Sequence, residues 1–99
     1  MQVDESFNFV SEDLNSINLE NYIGKIFRHF KGNFYLLLHI VQHTETGEYL
    51  VVYKALYGDC KAYARPKDMF LSKVDKNKYP NANQEYRFEP IEVERVNEV

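Results

Sequence analysis

Residues 34–57, FYLLLHIVQHTETGEYLVVYKALY, decide the fold. Val, Ile, Leu and Tyr fill both halves of this stretch, and apart from Gly47 it holds no Gly or Pro, so strand prevails over helix on propensity. Thr44-Glu45-Thr46-Gly47 reads as the turn between two long strands. Gly47 suits the left-handed position of a type I turn followed by a bulge, the common three-residue hairpin loop. That loop pairs Thr44 with Glu48, and hence Val41 with Val51, His39 with Tyr53 and Tyr35 with Tyr57. Side chains alternate along a strand, so the pairing gives two unlike faces. One carries Leu36, Leu38, Ile40, Leu50, Val52 and Leu56, interrupted by Gln42 and Lys54. The other carries Tyr35, Leu37, His39, Val41, His43, Tyr49, Val51, Tyr53, Ala55 and Tyr57. A hairpin apolar on both faces must be bent and covered on both sides, or line a groove with one of them. One more residue in the loop would slip the register and mix the faces.

Working outward, IGKIFRHF (23–30) is the strand before the hairpin, and Lys31-Gly32-Asn33 is the turn between them. Gly58-Asp59 turns the chain after the hairpin into CKAYAR (60–65). Pro66 biases Arg65 to stay extended and opens a single helical or 3₁₀ turn over 66–70. Leu71–Val74 and Tyr86–Ile91 read as short strands around an exposed polar loop, DKNKYPNANQ (75–84). The order predicts an all-β domain of five to six antiparallel strands over residues 23–91, as a small SH3-like barrel or a roll of similar size. Residues 1–22 read as an acidic extension and 92–99 as a tail.

At 99 residues the chain suits one domain with a single modest core. Twelve Lys and Arg against 15 Asp and Glu leave a net charge of −3, which provides no global attraction to nucleic acid. Cys60 is the lone cysteine, so no internal disulfide can form, and a reducing cytoplasm is expected. The N-terminus lacks the basic and apolar regions of a secretory signal. Polar residues interrupt every apolar run around 34–57, which argues against a membrane span.

In order and spacing, GKIFRHFKGNFY (24–35), HTETGEYLVVYKALYGD (43–59), RPKDMF (65–70) and YRFE (86–89) resemble the bacterial family of domains of unknown function 1653. The resemblance spans roughly residues 23–90. It implies a small intracellular protein without an established activity, found alone or attached to other domains, Nudix-type hydrolases among them. It also implies that the family's motif positions fall on Arg28, His29, Lys31, Gly32, His43, Glu45, Tyr53, Tyr57, Arg65, Pro66, Phe70 and Arg87.

His43, Glu45 and Glu48 offer metal-ligating atoms at close spacing. With no Cys or second His nearby, a solvated loop with a local His–Glu pair is the plainer reading, and no metal or cofactor is expected. Cys60 follows Gly58-Asp59 without a nucleophile signature. The four glycines are isolated turn residues and form no phosphate loop. His39, mid-strand among leucines, reads as a core histidine.

The candidate ligand-binding set is Arg28, His29, Lys31, His43, Glu45, Tyr53, Tyr57 and Arg65, with Tyr35, His39 and Tyr49 on the same expected face. Rings beside guanidinium groups can stack an aromatic group while the cation holds a phosphate or carboxylate. The competing structural reading makes the tyrosines core, with hydroxyls tied to backbone, Arg65 or Asp59, and makes Arg28, His29 and Arg65 partners of Glu45, Asp59 or Asp68. Three functions follow in order of preference. The first is a non-catalytic binding or accessory module for a protein partner or small anionic ligand, the second a nucleotide or nucleic-acid binder. The third is a hydrolase-type enzyme using His43 and Glu45 as acid and base.

Overall fold

The computed structural model describes residues 18–91. Most of the expected acidic extension and the whole of the expected tail lie outside them. The described chain opens with a 3₁₀ turn, Leu19–Tyr22, whose N-cap Asn18 accepts a hydrogen bond from Glu20 N–H at 3.3 Å. Leu19 falls in the stretch read as an extension, yet it is fully buried in the core.

Five strands follow: β1 (Ile26–His29), β2 (Phe34–Gln42), β3 (Tyr49–Ala55), β4 (Ala62–Pro66) and β5 (Phe88–Pro90). They form one antiparallel sheet in the order β4-β3-β2-β1-β5. The all-β expectation holds. The sheet is open, with β4 and β5 at its two edges. One helical turn, α1 (Lys67–Phe70), follows Pro66 where the sequence places it. The expected strand at 71–74 is reduced to a single bridge between Lys73 and Tyr86, supported by the Val74 N–H to Glu85 C=O bond of 2.8 Å.

The β2–β3 register differs from the expected one. His43 N–H donates to Glu48 C=O at 2.9 Å, so the loop holds four residues, 44–47, instead of three. Gly47 still takes the left-handed conformation, at φ +78°, because longer loops need it too. Val41 therefore faces Leu50 and His39 faces Val52, one residue away from the expected pairing. Leu38 then forms a bulge, and beyond it Leu37 pairs with Tyr53 and Tyr35 with Ala55.

The bulge changes which side chains share a face. Tyr35 and Leu37 before it, and Ile40 after it, all pack on the core side, opposite Ala55, Tyr53 and Val51. The expected all-odd face is thus broken. His39 becomes an exposed residue instead of a core histidine, because the extra residue turns it away from Leu37.

One side of the sheet carries the core: Phe27, Leu37, Val51, Tyr53 and Phe88, closed over by Leu19, Phe70, Leu71 and Tyr86. At its centre Phe70 and Phe88 stack at 4.3 Å with 7° between ring planes. Phe27 meets Phe70 edge-on at 5.4 Å. Each such ring removes apolar surface from water worth about 1.5–3 kcal/mol.

Candidate functional site

From the Phe70–Phe88 stack the rings continue outward to a surface formed by β1, β2, β3 and β4. Strand alternation and the register place His29, Tyr35, Tyr53, Tyr63, Arg65 and Phe88 on the core side. Tyr35 sits at the centre. Its ring is edge-on to Tyr53 at 5.4 Å, to Phe88 at 5.6 Å and to Tyr57 at 5.6 Å. Its hydroxyl shares a 2.7 Å hydrogen bond with that of Tyr57. Burial and this bond push the Tyr35 phenol well above its ordinary pKa.

Tyr53 is buried, and its hydroxyl accepts a 3.1 Å hydrogen bond from Arg65 Nε. The Arg65 guanidinium lies 5.8 Å from the Phe88 ring centroid. Tyr57 and Tyr63, each 43% exposed, form the rim. The floor is therefore core, as the structural reading of the tyrosines requires, while the rim is open.

His29 lies at the β1 end of this surface, edge-on to Phe88 at 4.9 Å and tilted against Phe30 at 4.6 Å. Lys31 N–H donates to His29 Nδ1 at 3.1 Å, which places the neutral ring's proton on Nε2. Burial lowers the His29 pKa to about 4, helped by the charges of Arg87, Arg65 and Lys31 in that order. Arg87 is fixed by its Nε–H bond to Ser72 Oγ at 3.1 Å. Among the described residues the ion pair found is Lys73–Glu85, so neither Arg65 nor Arg87 is neutralised by a carboxylate there. The expected pairs of Arg28, His29 and Arg65 with Glu45, Asp59 or Asp68 are absent from those residues.

Four of the eight sequence candidates thus come together: His29, Tyr53, Tyr57 and Arg65, joined by Tyr35. Lys31 contributes charge, but its ammonium lies over Tyr79 at 5.3 Å, away from β3. Arg28 is exposed on the opposite side of β1, between Phe34 and Glu89 in the ladder. His43 and Glu45 lie in the loop at the far end of β2, roughly 25 Å from Tyr35 at the usual rise per strand residue. There His43 Nδ1 accepts from the N–H groups of Glu45 and Thr46, at 3.1 and 3.3 Å. Sequence reasoning passed over Phe88, which contacts His29, Tyr35, Tyr53 and Phe70. The alternation of Tyr86 and Phe88 in YRFEP was the available signal.

The model of a family described as protein of unknown function (DUF1653) matches residues 25–90. The chain belongs to the DUF1653 family. A crystal structure of a DUF1653 protein from Bordetella bronchiseptica is similar to this chain at 27% sequence identity and a TM-score of 0.59, covering 83% of this chain and 100% of that one. No curated protein matches the chain significantly. The matched residues span every strand of this DUF1653 sheet, with Arg87, Phe88 and the other residues of the ring cluster inside them.

Proposed function

We propose that this DUF1653 domain is a non-catalytic binding module, taking an anionic group beside the Tyr57–Tyr63 rim. The group is a carboxylate or phosphate carried by a protein partner or a small ligand. One observation carries the reading: Arg65, bonded to Tyr53 beside the half-open Tyr57 and Tyr63 rings, and Arg87, close enough to act on His29, have no carboxylate partners among the described residues. Burial first, and then the charges of Arg87 and Arg65, hold His29 neutral below its ordinary pKa. A bound anion would offset those charges.

Arg65 is also pre-positioned by Tyr53, so little side-chain freedom is lost on binding. The return of β5 to β1 after a helical turn supports a small SH3-like barrel or roll as the scaffold, with Leu19 closing the core of the binding unit. The exposed lone Cys60 accords with action in a reducing cytoplasm.

The test is a ¹⁵N-HSQC titration with inorganic phosphate and with short acidic peptides containing Tyr or Phe. Shifts gathering on His29, Tyr53, Tyr57 and Arg65, and lost in Arg65→Ala, are the expected result. Silence at those amides across both probes, with Arg65→Ala altering stability alone, would leave Arg65 as a brace for Tyr53 and end the binding reading.

A further inference from the structure

A second feature lies beyond the Tyr53–Arg65 surface, past the His29–Phe30 ring contact. The polar loop after α1 folds back on the β1–β2 turn and leaves an open cleft of about 320 Å³ between them. Phe30, Tyr79, Pro80 and Ala82 line it together with Asn81, Lys31 and Lys78. Phe30 and Tyr79 meet edge-on at 4.9 Å. The Lys31 ammonium lies 5.3 Å from the Tyr79 centroid and 5.9 Å from that of Phe30, and the Lys78 ammonium lies 5.6 Å from Tyr79.

Both ammonium groups lie within cation–π range of the Tyr79 ring, and neither has a carboxylate partner among the described residues. The nearest acid in sequence is otherwise occupied. Asp75 Oδ1 accepts from the N–H groups of Asn77 and Lys78, at 3.0 and 3.3 Å. Asp75 C=O also accepts from Tyr79 N–H at 2.8 Å, and Lys76 Nζ donates to Ala82 C=O at 3.2 Å. The loop is thus braced by its own hydrogen bonds, and the cleft exists before any ligand arrives.

We infer that this cleft binds a phosphate monoester carried on a flat ring, the chemistry of a nucleoside monophosphate. Lys31 and Lys78 take the phosphate, and the ring lies against Tyr79, Phe30 and Pro80. A cleft of this size suits one such unit and not a folded partner. The same chemistry could come from a free nucleotide or from the phosphorylated end of a nucleic-acid strand. The inference does not depend on the Arg65 surface, and the amides of residues 78–82 report on the cleft alone.

The test follows backbone amides by ¹⁵N-HSQC as adenosine monophosphate, adenosine, inorganic phosphate, and short oligonucleotides with and without a 5′-phosphate are added to the full chain. Adenosine monophosphate should shift residues 30–31 and 78–82, more tightly than adenosine or phosphate alone. Lys78→Ala should weaken it about tenfold, as loss of a charge-assisted contact implies. Arg65→Ala should leave it unchanged.

Both lysines are exposed, so Lys78→Ala removes no buried contact and the fold should survive. Saturation by the mononucleotide makes the free ligand the source, whereas binding only by the 5′-phosphorylated strand makes it a nucleic-acid end. Equal binding with and without that phosphate, no response at 30–31 and 78–82, or Lys78→Ala binding as well as wild type would each overturn the assignment.

Discussion

His29 and His43 make the same local contact and end up with different work to do. Each accepts, through Nδ1, a backbone N–H from two residues ahead: Lys31 for His29 and Glu45 for His43, both at 3.1 Å. Each therefore pins a turn. Among the described residues, His43 sits in an exposed loop. Around His29 there are Phe30, Phe88, Tyr35 and three cations, and burial with their charge holds its pKa near 4. An identical short-range bond is a turn device in one place and part of a charged aromatic surface in the other. What differs is the long-range pairing, which brings β5 beside β1.

The largest test of that contrast is Phe88→Ala. Phe88 stacks on Phe70 and meets His29, Tyr35 and Tyr53, so truncation leaves a cavity at the root of the ring cluster. Urea unfolding should show a loss of about 3–5 kcal/mol. A loss of 1 kcal/mol or less, far below the core range, would mean that the cluster is not what holds β5 to the sheet.

The pH dependence comes next. Above about pH 6.5 His29 is neutral both folded and unfolded. As pH falls from 6.5 towards 4, the unfolded chain takes a proton that the folded ring refuses, so stability is lost across that window. Below about 4 both states are protonated and the loss is complete. The ring is half exposed, so solvent screening lessens the effect. His29→Gln should show a smaller fall in melting temperature between pH 7 and pH 4.5 than the native chain. Parallel falls would show that His29 titrates as an ordinary exposed histidine.

Arg65 separates charge from hydrogen bonding within the same region. Arg65→Ala should cost about 1 kcal/mol through the Tyr53 hydroxyl and also raise the His29 midpoint in an NMR titration. Arg65→Lys should cost a similar amount while keeping the midpoint low, since a cation remains. A midpoint indifferent to Arg65→Ala would remove that guanidinium from the field on His29.

How much of this was legible beforehand varies with the range of the interaction. Strand composition, the Pro66 turn and the need for a left-handed Gly47 are local, and the chain displays them. Register is not local to the turn. Gly47 serves a three-residue and a four-residue loop equally well, and Leu38 looks like any other leucine in LLL although it forms the bulge that turns Ile40 inward. The grouping of His29 with Tyr35, Tyr53, Tyr57 and Arg65 is therefore a product of β1–β2–β3–β4 pairing. His43 and Glu45 carry similar chemistry in sequence but lie at the wrong end of the hairpin. The Phe30–Tyr79 cleft was less legible still, because its two walls are separated by about half of the chain.

The smallest expected effect sharpens the contrast from the loop side. Thr46 Oγ1 accepts from Glu48 N–H at 3.2 Å on an exposed turn. In Thr46→Ala, water can replace the hydroxyl at that N–H, so the cost should stay near 0.5 kcal/mol, the low end for a single hydrogen bond. Hydrogen exchange should quicken only around residues 43–48, because register further along is held by the Leu38 bulge and the buried Leu37, Val51 and Tyr53. If exchange instead quickened as far as Tyr35 and Ala55, the loop would be setting the register of the whole hairpin. The His43 turn would then support the ring cluster from a distance, and the two histidines would belong to one cooperative unit.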